Sequence, residues 1–124
     1  MPTIRSIMRT KPIAVAPESP VQEAIKLLVE NDVSGVAVVD VNGHVVGELS
    51  NRDVLRMFHE EALTVEQIMT PNPQTFDLHA PFVDVVDCLI EQAHRRAYIE
   101  ERGKLVGVVS RADLMNVILT AKAS

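Results

Sequence analysis

Two short phrases hold the residues that could do chemistry: Ser50-Asn51-Arg52-Asp53 and Ser110-Arg111-Ala112-Asp113. Each places a hydroxyl and a carboxylate three residues apart, directly after an apolar run, Val45 to Leu49 and Leu105 to Val109. Two kinds of chemistry suit this spacing. At a helix start the Ser oxygen accepts from an orphan amide N–H, and the Asp favours the positive end of the helix dipole. Facing a cleft, the same carboxylate has two oxygens that can accept from neighbouring hydroxyls, as on a ribose, while a helix N-terminus attracts phosphate. The two phrases alone leave both readings open.

The elements that must position them occur twice. Met8 and Met69 stand 61 positions apart, as do Pro12 and Pro73, and Val21 and Phe82. Val21, Ala24, Ile25 and Leu28 fall at i, i+3, i+4 and i+7, and Phe82, Val85, Val86 and Leu89 repeat that spacing, so each set predicts a helix with one face on a sheet. Ser19-Pro20-Val21-Gln22 reads as a capping box opening the first helix, with Thr64-Val65-Glu66-Gln67 as another between the repeats. Val36 to Val39 predicts a strand, Asp40-Val41-Asn42-Gly43 a hairpin turn and Val45 to Leu49 its partner strand. In the second copy Ala97-Tyr98-Ile99 and Lys104 to Val109 flank a turn one residue shorter, so Asp53 and Asp113 are 60 apart. Helical spacing follows each Ser-x-x-Asp, over Asp53 to Phe58 and Asp113 to Leu119, and the segment from Thr120 to Ser124 is expected to fray.

The resulting fold class is α/β (α+β), two tandem β-α-β-β-α repeats about a pseudo-twofold axis, the first over residues 1–60 and the second over 61–124. The chain of 124 residues, 47% hydrophobic, suits one compact domain whose two halves share a core. A net charge of -5 argues against a nucleic-acid surface, and no apolar run is long enough for a membrane span. The single Cys88 lies in an apolar helical pattern and suits a small buried residue in a reducing, cytoplasmic setting. His44, His59, His79 and His94 lack the close spacing of a metal site, and no nucleophile elbow or phosphate loop points to an enzyme.

In the order and duplication of Ile7-Met8 with Pro12, Ser19-Pro20, Val38-Val39-Asp40 with Gly43, and Gly47-x-x-Ser50-x-x-Asp53, the chain resembles the cystathionine β-synthase (CBS) domain. The second copy repeats it with Ile68-Met69, Pro73, Pro81, Gly103 and Gly107-x-x-Ser110-x-x-Asp113. The tandem pair is similar to a Bateman module. That resemblance implies a regulatory, non-catalytic module that binds AMP, ADP, ATP or S-adenosylmethionine between its repeats, with no obligatory cofactor. It also implies a homodimer of such pairs and a regulated partner protein. Asp53 and Asp113 would hold ribose hydroxyls, with Ser50 and Ser110 nearby. Phosphate contacts would cross over, Arg95 and Arg96 to the Asp53 cleft and Ser34, Gly35 and Arg52 to the Asp113 cleft, with Val36 also among the ligand-binding residues. Tyr98 could stack on a purine or fill core or rim, and Arg95-Arg96 could be a solvated turn instead. A ligand-independent dimerisation or scaffold module is the alternative, with Val54, Met57, Met115 and Ile118 as an interface on the last helices.

Overall fold

The computed structural model describes residues 2–91 and 93–123, which divide into two compact units. One unit is Pro12–Pro73; the other joins the opening segment up to Lys11 to the chain from Gln74 onward. The compact units are thus cut differently from the sequence repeats, because each takes in the lead-in of the other repeat.

The unit Pro12–Pro73 is built on a sheet of β2 (Ala14–Val15), β3 (Gly35–Val39), β4 (Val45–Ser50) and β5 (Thr70–Pro71), in that order, with only β2 and β3 parallel. Helix α2 (Val21–Asn31) connects the parallel pair and turns Val21, Ala24 and Leu28 inward against Val36, Val38 and Leu49. Burial alternates strictly along β4, the period of a strand with one covered face. Val65 and Ile68, from a 3-10 turn over Val65–Gln67 and its end, complete the cluster. Each such Val, Leu or Ile contributes about 1.5–3 kcal/mol relative to exposure.

The second unit repeats the plan. Its sheet runs β1 (Arg9–Thr10), β8 (Lys104–Ser110), β7 (Arg96–Glu101) and β6 (Thr75–Asp77), with β6 and β7 parallel. Helix α4 (Phe82–Ile90) buries Val85 and Leu89 against Ala97, Ile99 and Val109, and α1 (Ile4–Ile7) adds Ile4. Each unit has its own cluster of buried residues.

The ladders explain the change of register between repeats. In the first hairpin Asp40 pairs with His44 across a three-residue loop, Asp40 Oδ1 accepts from the amides of Asn42 and His44, and Gly43 sits at φ 83. In the second Glu101 pairs with Lys104 across Arg102 and Gly103, both at positive φ, a two-residue loop matched to strand twist. Bulges after Val38 and after Ile99 fall at equivalent places.

Local expectations shift in three places. The Ser19 capping box does not form: Pro20, with ψ 139, takes the cap position of α2, and the Ser19 hydroxyl accepts from the Ala16 amide at 3.2 Å. Helix α3 covers only Asn51–Leu55 before tightening to a 3-10 turn through Phe58. Helix α5 runs Arg111–Ala123, so 120–123 are helical where fraying was expected, with the Thr120 hydroxyl donating back to Asn116 and Val117 carbonyls; Ser124 lies outside the described residues. The Gln67 side chain does accept from the Thr64 amide at 3.0 Å, as a capping box requires.

Candidate functional site

In the Pro12–Pro73 unit, β4 ends at Ser50 and α3 begins at once, so the Ser50 oxygen accepts from the Asp53 amide at 3.2 Å. The Asp53 carboxylate turns back on the same corner. Its Oδ2 accepts from the Ser50 amide and hydroxyl, both at 3.0 Å, and the Thr70 hydroxyl reaches Oδ1 at 3.1 Å and Oδ2 at 3.2 Å. Arg56 Nη1 lies 3.4 Å from Oδ1. At 1% exposure Asp53 is the only buried charged residue among those described, and hydrogen bonds to both oxygens offset its desolvation.

The second unit builds the same corner with one substitution. Ser110 Oγ accepts from the Asp113 amide at 3.3 Å, and Asp113 Oδ2 accepts from the Ser110 amide at 2.8 Å and hydroxyl at 3.0 Å. Where Thr70 stands over Asp53, Arg9 stands over Asp113, donating from Nε to Oδ1 at 3.0 Å. Arg9 and Thr70 are 61 positions apart, equivalent residues on equivalent short strands. Asp113 also lines a cavity of about 340 Å³ between α1 and α5, together with Ser6, Asn116 and Thr120. A larger cavity, about 630 Å³, lies between Pro2–Arg5 and Leu78–Val83. It is mostly apolar, and both its basic residues, Arg5 and His79, face Glu101 at 3.7 Å.

The helix-cap reading of Ser-x-x-Asp is thus realised at both corners, and its bonds from serine fall on Oδ2 of each carboxylate. Among the remaining expected residues, Arg96 opens β7 directly opposite Ser110, half-buried, and Arg95 precedes it exposed. Arg52 is exposed on α3. Ser34 accepts from the Asn51 amide at 2.9 Å and Gly35 pairs with Ser50, so both adjoin the Asp53 corner within their own unit. Val36 and Tyr98 are buried at 1% and 2% exposure. Arg111, not singled out from sequence, donates from Nε to the Leu89 carbonyl at 2.9 Å and also reaches Glu91, tying α5 to the end of α4. Arg9, Thr70 and Arg56 were missed as well. The 61-residue register marks Arg9 and Thr70 as equivalent, but nothing in it says which carboxylate they meet. Among the described residues no group of three or more His, Cys, Asp or Glu is arranged to hold a metal ion, and no helix is long and apolar enough to cross a membrane.

The CBS domain family model matches residues 4–60 and again 65–120. The chain belongs to the CBS domain family. As a tandem CBS pair it is similar to the chloroplastic CBS domain-containing protein CBSX1 of Arabidopsis thaliana, 29% identical over 89% of this chain and 60% of that protein. It is 27% identical to the pig (Sus scrofa) 5'-AMP-activated protein kinase subunit gamma-3, over 85% of this chain and 23% of that subunit. The pair thus spans three-fifths of one curated relative and under a quarter of the other. Among solved structures, CBSX2 of Arabidopsis thaliana in complex with AMP superposes with a TM-score of 0.87 at 28% identity, covering 97% of this chain and 98% of that one. The mixed α/β fold with two tandem CBS repeats is shared with it.

Proposed function

We propose that this CBS pair is a regulatory module, not an enzyme, that binds an adenosine-containing ligand of the AMP, ADP, ATP or S-adenosylmethionine class and passes its occupancy on as a change of packing, to a dimer mate or a partner protein. The observation that carries this reading is the Asp113 corner. Its carboxylate is held in place by Ser110 through Oδ2, while Oδ1 meets only an exposed arginine among the bonds described and stands at a cavity. A fixed carboxylate oxygen with an exchangeable partner is what a ribose hydroxyl needs. Similarity over nearly the whole chain to a CBS pair in complex with AMP supports the ligand class. In this reading Asp53 with Ser50 is the equivalent corner of the other unit, Arg52, Arg95 and Arg96 supply phosphate contacts, and Val36 and Tyr98 belong to the buried wall. No cofactor is obligatory, and the setting is reducing and cytoplasmic.

The test is a thermal-shift panel of AMP, ADP, ATP, S-adenosylmethionine and the matching deoxyribonucleotides on wild type and Asp113→Asn. A ribose-dependent rise in Tm that disappears in the variant is expected, because a ligand selective for the folded state stabilises it. No shift with any compound would leave the second reading, a ligand-independent dimerisation or scaffold module. One observation favours that reading: Asp53 is buried with both oxygens already bonded, as a purely structural cap would be.

A further inference from the structure

Two equivalent corners carry different gatekeepers, and from this we infer that the chain binds one ligand rather than two. The ligand sits at Asp113, and Arg9 is the residue that admits it and takes its phosphate; Asp53 serves the fold alone. This inference rests on the reading of the protein as an adenosine-ligand module.

The donors around each carboxylate decide the matter. Asp53 Oδ2 accepts from the Ser50 amide and hydroxyl, the Thr70 hydroxyl spans both oxygens, and Arg56 stands against Oδ1. A carboxylate offers about four acceptor positions, and those of Asp53 are met by the Ser50 amide and hydroxyl, the Thr70 hydroxyl and Arg56, so a ribose hydroxyl must not only displace Arg56 but also compete with the Thr70 hydroxyl that spans both oxygens. Against Thr70 that competition brings no net gain, since one hydroxyl–carboxylate bond replaces another. Thr70 is moreover held in register by the β5 pairing of Thr70 with Glu48.

Asp113 has the same two Ser110 donors on Oδ2, but Oδ1 is met by a guanidinium whose side chain is 66% exposed. An ion pair with so exposed a partner is weak, because water solvates the arginine when it leaves. A ribose hydroxyl can therefore take Oδ1 at small cost. The released fork has five N–H donors and suits bidentate phosphate recognition, so the arginine exchanges one anion for another within reach of the same corner. One position of the repeat, threonine in one copy and arginine in the other, separates a closed corner from an open one.

Calorimetric titration of the full chain with AMP and with adenosine tests this. Wild type should bind one AMP per chain. Asp113→Asn should lose both compounds. Arg9→Met should weaken AMP by about tenfold, the scale of one charge-assisted contact, while binding adenosine at least as tightly as wild type, since the competing guanidinium is gone. Thr70→Val, which removes a structural donor without touching Asp113, should leave AMP affinity unchanged in protein shown to be folded by circular dichroism. Two AMP per chain, or AMP binding that survives Asp113→Asn, or equal weakening of AMP and adenosine by Arg9→Met would each overturn the inference while leaving the nucleotide reading intact. Absence of binding of either compound to wild type would overturn both.

Discussion

Arg9 Nε donates to Asp113 Oδ1 at 3.0 Å although 104 positions separate the two residues in the chain. The contact exists because β1, two residues long, pairs antiparallel with β8 and sets Arg9 opposite Val108, close to the start of α5. The pairing of β5 with β4 sets Thr70 opposite Glu48 and brings its hydroxyl onto Asp53. Each aspartate thus takes its last partner from the lead-in of the other repeat.

The two serine caps should contribute unequally to stability. Loss of an N-cap hydroxyl costs about 0.5–2 kcal/mol. Ser50→Ala should fall at the upper end because it also strips one donor from a carboxylate that is 1% exposed, whereas the corner at Ser110 keeps an exposed arginine on Asp113. Urea unfolding of both variants checks this, and an equal or larger loss for Ser110→Ala would refute it.

Thr70→Val should destabilise the fold by about 1–3 kcal/mol, the range for leaving a buried acceptor short of a donor. Thr70→Ser, which keeps the hydroxyl, should recover most of it. If valine and serine behave alike in chemical denaturation, the hydroxyl is not what matters at this position.

A methyl group at Gly47 or Gly107 should be poorly tolerated. A Cβ built on Gly47 would overlap the Met69 sulfur, and one on Gly107 would overlap the Met8 sulfur and come within 3.2 Å of the Arg9 carbonyl. Met69 is flexible and can give way, whereas backbone cannot, so Gly107→Ala should cost more than Gly47→Ala within the roughly 1–3 kcal/mol of overpacking. Pairing Gly47→Ala with Met69→Ala should remove the strain part of its cost. Differences in Tm across the four proteins measure it.

Burial first, and then the charge of Glu91, push the Cys88 thiol above its ordinary range. Alkylation by iodoacetamide near pH 8 should therefore be slower in the folded protein than in urea. The folded thiol holds its proton more firmly than the unfolded one. Its contribution to stability is complete below the unfolded pKa and is lost as pH rises through the folded one. Unfolding free energies measured across that alkaline range should decline more for wild type than for Cys88→Ala; parallel curves would remove Cys88 from the account.

Much of this protein was legible in its sequence because the signals are local and repeated. The helical spacing of Val21 to Leu28 and Phe82 to Leu89, the Asn-Gly turn at Gly43 and the Ser-x-x-Asp corners each depend on residues within one or two turns of chain, and the 61-residue register ties the copies together. Ser19 shows the limit even of local reading, since its hydroxyl accepts from the Ala16 amide behind it and not from the helix ahead. Tertiary structure alone decided where the two-residue strands β1 and β5 dock. Strands that short carry no periodicity, and their pairing is a long-range contact that neighbouring residues do not encode. It also decided that Tyr98 is buried. The same docking put threonine on Asp53 and arginine on Asp113, so the two carboxylates, alike in sequence, differ in their partners.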